Sequence, residues 1–380
     1  MKIQSKLPDV GTTIFTVMSK MATDHGAINI SQGFPDFPVD PELVELVVKH
    51  MRDGHNQYAP MPGLLSLRER IAHKTGALYD RHYDPISEIT VTAGATQAIF
   101  TAMAAVISPG DEVILFDPAY DCYGPTVELL GGVPVHLQLE APLYSPDWKQ
   151  VEEHINSRTR MVVINSPHNP TGTTLALSDM HELERLAVEH DLIVLSDEVY
   201  EHIIFDDLAH QSVARFPELA VRSFITASFG KTFHTTGWKL GYCLGPEHLM
   251  TEFRKVHQFN VFSVNHPVQA ALSDYLQDER RYLDLGAFYQ RKRDHFLKAI
   301  AGSRFKFKPS SGTYFQLLDY SAITDEADTE YAKRLVTEHG LATIPTSVFN
   351  QGGEDARLLR VCFAKTVETL DKAAAIINRI

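Results

Sequence analysis

Between residues 88 and 229 two patterns of apolar positions alternate. Runs in which most residues are apolar or β-branched, "EITVTAG" (88–94), "DEVILFD" (111–117), "VPVHLQL" (133–139), "TRMVVINSP" (159–167), "LIVLSDEVY" (192–200) and "RSFITASF" (222–229), predict short buried strands. "ATQAIFTAMAAVI" (95–107), "YGPTVELLGG" (123–132) and "LSDMHELERLAVEHD" (177–191) read as the helices between them. That alternation predicts an α/β fold with a mostly parallel sheet covered by helices on both faces. After a helical region of about 247–300, "RFKFKPSSGTYFQLLDY", "GLATIPTSVF" and "ARLLRVCFA" read as strands, with "EYAKRLVTEHG" and "TLDKAAAIINRI" as helices, which predicts a smaller α+β unit. The Gly- and Pro-rich "SQGFPDFPVD" marks the start of the chain as an extended arm. The expected organisation is therefore an arm over 1–40 that joins part of the small domain, a large domain over 41–284 and a small C-terminal domain over 285–380.

Composition narrows the function. At 380 residues, with 44% hydrophobic and 22% charged positions, the chain has the profile of a sizeable globular enzyme. It has no apolar run of about 18 residues, and "MKIQSKLPDVGTTIF" lacks an apolar signal core, so no membrane partner and a cytoplasmic location are expected. A net charge of −13 argues against nucleic acid held by general electrostatics. Cys122, Cys243 and Cys362 are odd in number and embedded in apolar or aromatic sequence, which suits buried thiols in a reducing compartment. The 18 histidines scatter without HExxH or CxxC spacing, and no metal is assigned.

In parallel sheets ligands collect at the carboxyl ends of strands. Reading those ends in order collects residues 94–96, Asp117 to Tyr120, residues 165–172, Asp197, Tyr200, Ser228 and Lys231. "GKT" at 230–232 mimics the end of a P-loop, but the glycine required five residues before it is Ile225, and the "SDEV" carboxylates precede it in the chain, so an NTPase is rejected. "TAGATQA" offers backbone amides at a helix start, suited to a phosphate or simply to a turn. Lys231, after an apolar strand, suits an amine nucleophile with a lowered pKa, and Asp197 is a carboxylate needing a partner; taken alone, each is equally well a structural ion pair or cap. Together they match a Schiff-base lysine and an acid that keeps a pyridine nitrogen protonated, which is pyridoxal phosphate chemistry.

At this point the chain resembles a known family over essentially its full length. "SQGFPDF", "NQYAPMPGLLSLRERIA", "TAGATQA", "DPAYDCY", "NSPHNPTG", "SDEVYEHIIF", "SFGKTFHTTGWKLGY", "SGTYF" and "LLRVCFAK" resemble the class I, fold type I, pyridoxal-phosphate-dependent aminotransferases, and within them the methionine, glutamine and kynurenine branch. The resemblance implies a large cofactor-binding domain, pyridoxal 5′-phosphate as cofactor, amino acid and 2-oxo acid substrates, and a homodimer with shared sites. It implies that Lys231 carries the cofactor and moves the substrate proton, that Asp197 faces the ring nitrogen, and that Asn169 and Tyr200 bond the phenolic oxygen under a stacking Tyr120. Ser228, Lys239 and the amides of Ala95 and Thr96 are implied at the phosphate, with Tyr58 reaching it from a neighbouring subunit. Many relatives carry Arg at the Lys239 position, so this chain loses the bidentate fork there. Arg360 and Gly33, with Asn169, are implied at the substrate carboxylate, and Phe15 and Phe262 at its side chain or in plain core packing. "VFSV", with Ser263 after Phe262, departs from the Phe-His of kynurenine-type relatives and favours methionine, with aromatic amino acids and glutamine behind it. A carbon–sulfur β-lyase on the same fold and a catalytically silent regulatory protein are the alternatives.

Overall fold

The computed structural model describes residues 4–8 and 10–380. Among the described residues twelve strands run in chain order: β1 (Ile28–Asn29), β2 (Ile89–Thr92), β3 (Glu112–Asp117), β4 (Val133–Gln138), β5 (Thr159–Asn165), β6 (Ile193–Asp197), β7 (Ser223–Ser228), β8 (Gly241–Leu244), β9 (Phe315–Asp319), β10 (Leu341–Ala342), β11 (Ile344–Pro345) and β12 (Leu358–Cys362). Seven of them form the main sheet in the order β2-β8-β7-β6-β5-β3-β4. Its pairs are parallel except where β8 runs against β7 and β2.

Alternate residues of these strands enter two separate cores, the consequence of the period-two side-chain pattern. Val113, Leu115, Met161, Val163 and Leu195 pack with helix Ala95–Val106 and helix Glu247–Asn260 on one face. Ile114, Phe116, Val162, Ile164 and Val194 enter the larger core on the other. Both faces are covered, so the strands read as unbroken apolar runs.

A three-stranded antiparallel sheet, β11-β12-β9, and the parallel pair β1-β10 complete the architecture. The arm is less extended than its Gly and Pro content predicts. Ile14–Asp24 is a helix, capped by the Thr13 side chain on Thr16 N, with Met18 and Ala22 buried at helical spacing. Two further differences have local causes. "RFKFKPSSGTYFQLLDY" yields one strand, β9, and two isolated bridges, Lys306–Asp319 and Ile204–Gly312, because Pro309 and the turn before Thr313 interrupt the ladder. "GLATIPTSVF" splits into β10 and β11, which pair with different sheets.

Candidate active site

β5, β6 and β7 end side by side, and the segments leaving their carboxyl ends line one cavity. Every residue that the family resemblance implies at the site borders it, except Tyr58 and Phe262. Asp197 is the last residue of β6. Burial pushes its carboxyl up to about 6, while the Tyr123 hydroxyl, donating to Oδ2 at 2.6 Å, and the Val199 amide, at 3.3 Å on Oδ1, favour the carboxylate. Lys231 lies on the single helical turn Phe229–Thr232 that succeeds β7. Desolvation brings its ammonium down to about 8; Arg360 and Lys239 act in the same direction, against Cys362 and Asp197. Its Nζ donates to the Gly33 carbonyl at 3.1 Å.

Helix Ala95–Val106 opens on the cavity with no side chain capping its N-terminus. The preceding Gly94 has φ +79°, a conformation that costs an L-residue strain, and the Lys239 ammonium comes within 3.4 Å of where a Cβ would stand. Uncapped amides, the Ser228 side chain and an ammonium that makes no ion pair among the described residues converge there, which is the donor set of an anion site.

Arg360, on β12, is 1% exposed. Its Nη1 donates to Asn169 Oδ1 at 2.7 Å and its Nη2 to the Ser31 carbonyl at 3.2 Å, while Nε has no partner. Phe315, Phe15 and Phe349 surround the guanidinium with ring centroids 4.0, 5.2 and 5.3 Å away. Desolvation lowers its pKa to about 10, and no carboxylate pairs with it among the described residues. Gly33 borders the same end; a Cβ there would lie 2.7 Å from Phe315 Cζ, so only glycine lets the arm pass. Tyr200 is buried, which pushes its hydroxyl above the usual phenolic range, and its ring meets Tyr314 edge-on at 5.2 Å. Tyr120 lines the wall, edge-on to Tyr123.

Tyr58 and Phe262 lie outside the cavity, ring against ring at 5.4 Å, and are 80% and 45% exposed. Sequence reasoning passed over Tyr123, Tyr314, Phe315 and Phe349, although the first three stand inside the motifs "DPAYDCY" and "SGTYF": their tasks depend on contacts across the fold. Glu152, Glu189 and His190, the one metal-type grouping among the described residues, sit at the surface, with both carboxylates paired to Arg185. No helix among the described residues is long and apolar enough to cross a membrane.

An anion site, an amine of lowered pKa and a buried carboxylate thus share one cavity with an unpaired guanidinium. That donor set fits a cofactor bearing a phosphate, an aldehyde and a protonatable ring nitrogen, as pyridoxal phosphate does.

Comparison with known proteins agrees. The family model "Aminotransferase class I and II" matches residues 25–377. Methionine aminotransferase of Escherichia coli is 48% identical over 98% of this chain and 96% of its own. Human kynurenine–oxoglutarate transaminase 1 is 32% identical over 92% of each chain. The solved structure of an E. coli protein identified as having a methionine aminotransferase function superposes with a TM-score of 0.97 at 46% identity, covering 100% of both chains. These matches support neither a β-lyase nor a silent scaffold. The fold is that of the fold type I transaminases, a family that works with pyridoxal phosphate, and the chain belongs to the class I and II aminotransferases.

Proposed function

We propose that this aminotransferase moves the amino group of a large neutral amino acid, methionine first and aromatic amino acids and glutamine behind it, to a 2-oxo acid, with pyridoxal 5′-phosphate as its resident cofactor. The observation that carries the reading is Arg360, a buried guanidinium without a carboxylate partner, facing the cavity that holds the Lys231 amine. A bidentate donor of this kind suits an α-carboxylate. The other cations lining the cavity, Lys231 and Lys239, stand at the amine and anion ends, which leaves none for a second substrate carboxylate. Phe15, Phe34, Ile99, Leu240 and Phe315 give the wall an apolar character that suits a thioether or a ring. The E. coli methionine aminotransferase supports the same choice.

When bound, the cofactor supplies an electron sink for the pair left at the substrate Cα. Lys231 would serve both as the covalent tether and as the base that takes and returns the Cα proton. Asp197, held by Tyr123, would give the ring nitrogen its counter-charge. Asn169 and Tyr200 would bond the phenolic oxygen, and Tyr120 would cover the ring. The amides of Ala95 and Thr96, with Ser228 and Lys239, would hold the phosphate. Arg360, with Asn169 and the Gly33 backbone, orients the carboxylate so that the Cα proton faces Lys231.

In this reading the enzyme is a cytoplasmic homodimer. Tyr58 of the partner subunit completes the phosphate end and Phe262 of the partner subunit the substrate end; the exposure of both rings, and of Phe259 at 86%, supports an interface there. The three free cysteines suit a reducing compartment. A large domain over 41–284 and a small one over 285–380 joined by part of the arm accord with the sheets: the main sheet falls within 89–244, and β1 pairs with β10.

The test is a spectral titration of the cofactor-loaded protein with single amino acids. Methionine, aromatic amino acids and glutamine are expected to convert the lysine-bound cofactor to its aminated form, and a 2-oxo acid to reverse it. Conversion by aspartate alone, or pyruvate released from sulfur amino acids without amination, would contradict the reading.

Lys231 also sets a pH dependence. The neutral amine is the nucleophile, and the pKa falls from 10.5 to about 8, so capture of pyridoxal phosphate by cofactor-free protein speeds up as pH rises through about 8. At pH 8 the neutral fraction is on the order of a hundredfold above that of an unperturbed lysine. Stopped-flow absorbance from pH 6.5 to 9.5 checks this; a rate that still climbs about tenfold per pH unit up to 9.5, as an unperturbed lysine would give, would refute it.

A further inference from the structure

Four consecutive carbonyls of the arm each accept from a cation. Ser31 O takes Arg360 Nη2 at 3.2 Å, and Gly33 O takes Lys231 Nζ at 3.1 Å together with the Tyr314 hydroxyl at 2.6 Å. The carbonyls on either side of Gly33 point elsewhere. Phe34 O accepts from Lys365 Nζ at 2.7 Å, and Gln32 O lies 3.5 Å from the same atom. Lys365 is 2% exposed and makes no ion pair among the described residues. A lysine so placed bears the cost of desolvation, which these carbonyls and the Phe34 ring, 5.0 Å from Nζ, offset among the described residues.

We propose that Lys365 is a positioning residue that anchors the strap of residues 31–34, holding the Gly33 backbone over the substrate end of the cavity. The inference rests on the proposed aminotransferase function, in which Arg360 and Lys231 have tasks at substrate and cofactor. When they turn to those tasks they release Ser31 O and Gly33 O, and Lys365 is the cation left on the strap. The rest of the anchor lies beside it, beyond β12. The Asp36 carboxylate accepts from Thr366 N and Thr369 Oγ1, both at 2.6 Å. Lys292 Nζ donates to the Lys365 carbonyl at 2.7 Å and stands 4.6 Å from the Phe37 ring centroid. β12 thus carries Arg360, and its continuation fixes the strap opposite it, so carboxylate donor and strap are placed by one stretch of chain.

Hydrogen–deuterium exchange and steady-state kinetics on Lys365→Met and Lys365→Arg test this. In cofactor-free protein, Lys365→Met is expected to speed exchange of peptides covering residues 31–37 and leave those of the main sheet unchanged, with Lys365→Arg restoring protection. In loaded enzyme, loss of a charge-assisted hydrogen bond raises the amino-acid KM about tenfold or more while kcat and cofactor retention are largely kept. Unchanged exchange with unchanged KM, or a fall in kcat at constant KM, overturns the proposal. Should Lys365→Met fail to fold, Asp36→Ala, at the exposed end of the anchor, is expected to speed exchange of the same peptides, and unchanged exchange there overturns it too. If wild-type protein transaminates no amino acid, the functional reading fails, while the exchange comparison, made without cofactor or substrate, still decides the anchoring.

Discussion

Lys231→Ala is expected to abolish transamination and, with it, the visible absorbance of the lysine-bound cofactor. Two losses compound in that variant. A positioned general base contributes about 10²–10⁴-fold, and the covalent tether that holds the cofactor's reactive carbon in place is lost as well. Turnover should therefore fall by at least about 10⁴-fold, while the proposed phosphate contacts at Ala95, Thr96, Ser228 and Lys239 should keep some non-covalent affinity for the cofactor. Lys231→Arg separates charge from chemistry. It keeps a cation near Gly33, but a guanidinium supplies no neutral nucleophile at any working pH, so it should be as inactive as the alanine variant. Absorbance spectra and single-turnover kinetics of both variants check this; wild-type rates in either would remove Lys231 from the mechanism.

The part of the site that is legible in the sequence is the part that local order supplies. Asp197, Ser228 and Lys231 come at the ends of apolar strands, and the uncapped helix at Ala95 comes after another, so the rule that ligands gather at strand ends locates them together before any contact is known. Tyr123 could not be read this way. It opens a short helix, Tyr123–Leu129, where an aromatic looks like packing, and its bond to Asp197 spans 74 residues. The cage around Arg360 is drawn from positions 15, 315 and 349, which no sequence periodicity links. The fold divides along the same line. β3, β5, β6 and β7 are apolar runs and are legible, whereas β8 is four residues that begin at the end of a motif dense with Gly and aromatics, and only its pairing with β2 and β7 makes it a strand. The arm helix was hidden because Gly and Pro between residues 33 and 41 dominate its neighbourhood, although Ile14, Met18 and Ala22 carry the helical spacing.

Arg360→Met should separate substrate recognition from everything else the protein does. Binding of any amino acid is expected to weaken about 10²- to 10³-fold, the loss of a buried, charge-assisted contact to the α-carboxylate. Cofactor retention should be kept, because nothing at the anion end touches Arg360, and the absorbance of the lysine-bound form should persist, shifted only as far as Asn169, which Arg360 holds, is displaced. Stability is the sharper test. In the unliganded protein the guanidinium is surrounded by Phe15, Phe315 and Phe349, with Nε unpartnered, so it carries a desolvation cost that no carboxylate offsets. Methionine fits that cage without the cost, but strands Asn169 Oδ1 and the Ser31 carbonyl, a loss of about 1–3 kcal/mol each. The two effects oppose, and unfolding free energy by denaturant titration should stay within about 2 kcal/mol of wild type. A residue placed for folding would behave in the opposite way, with stability lost and the substrate KM of the surviving enzyme unchanged. Arg360→Lys keeps the charge and loses the fork, so it should fall between wild type and Met in substrate affinity; equal loss of cofactor and substrate in either variant would contradict the assignment.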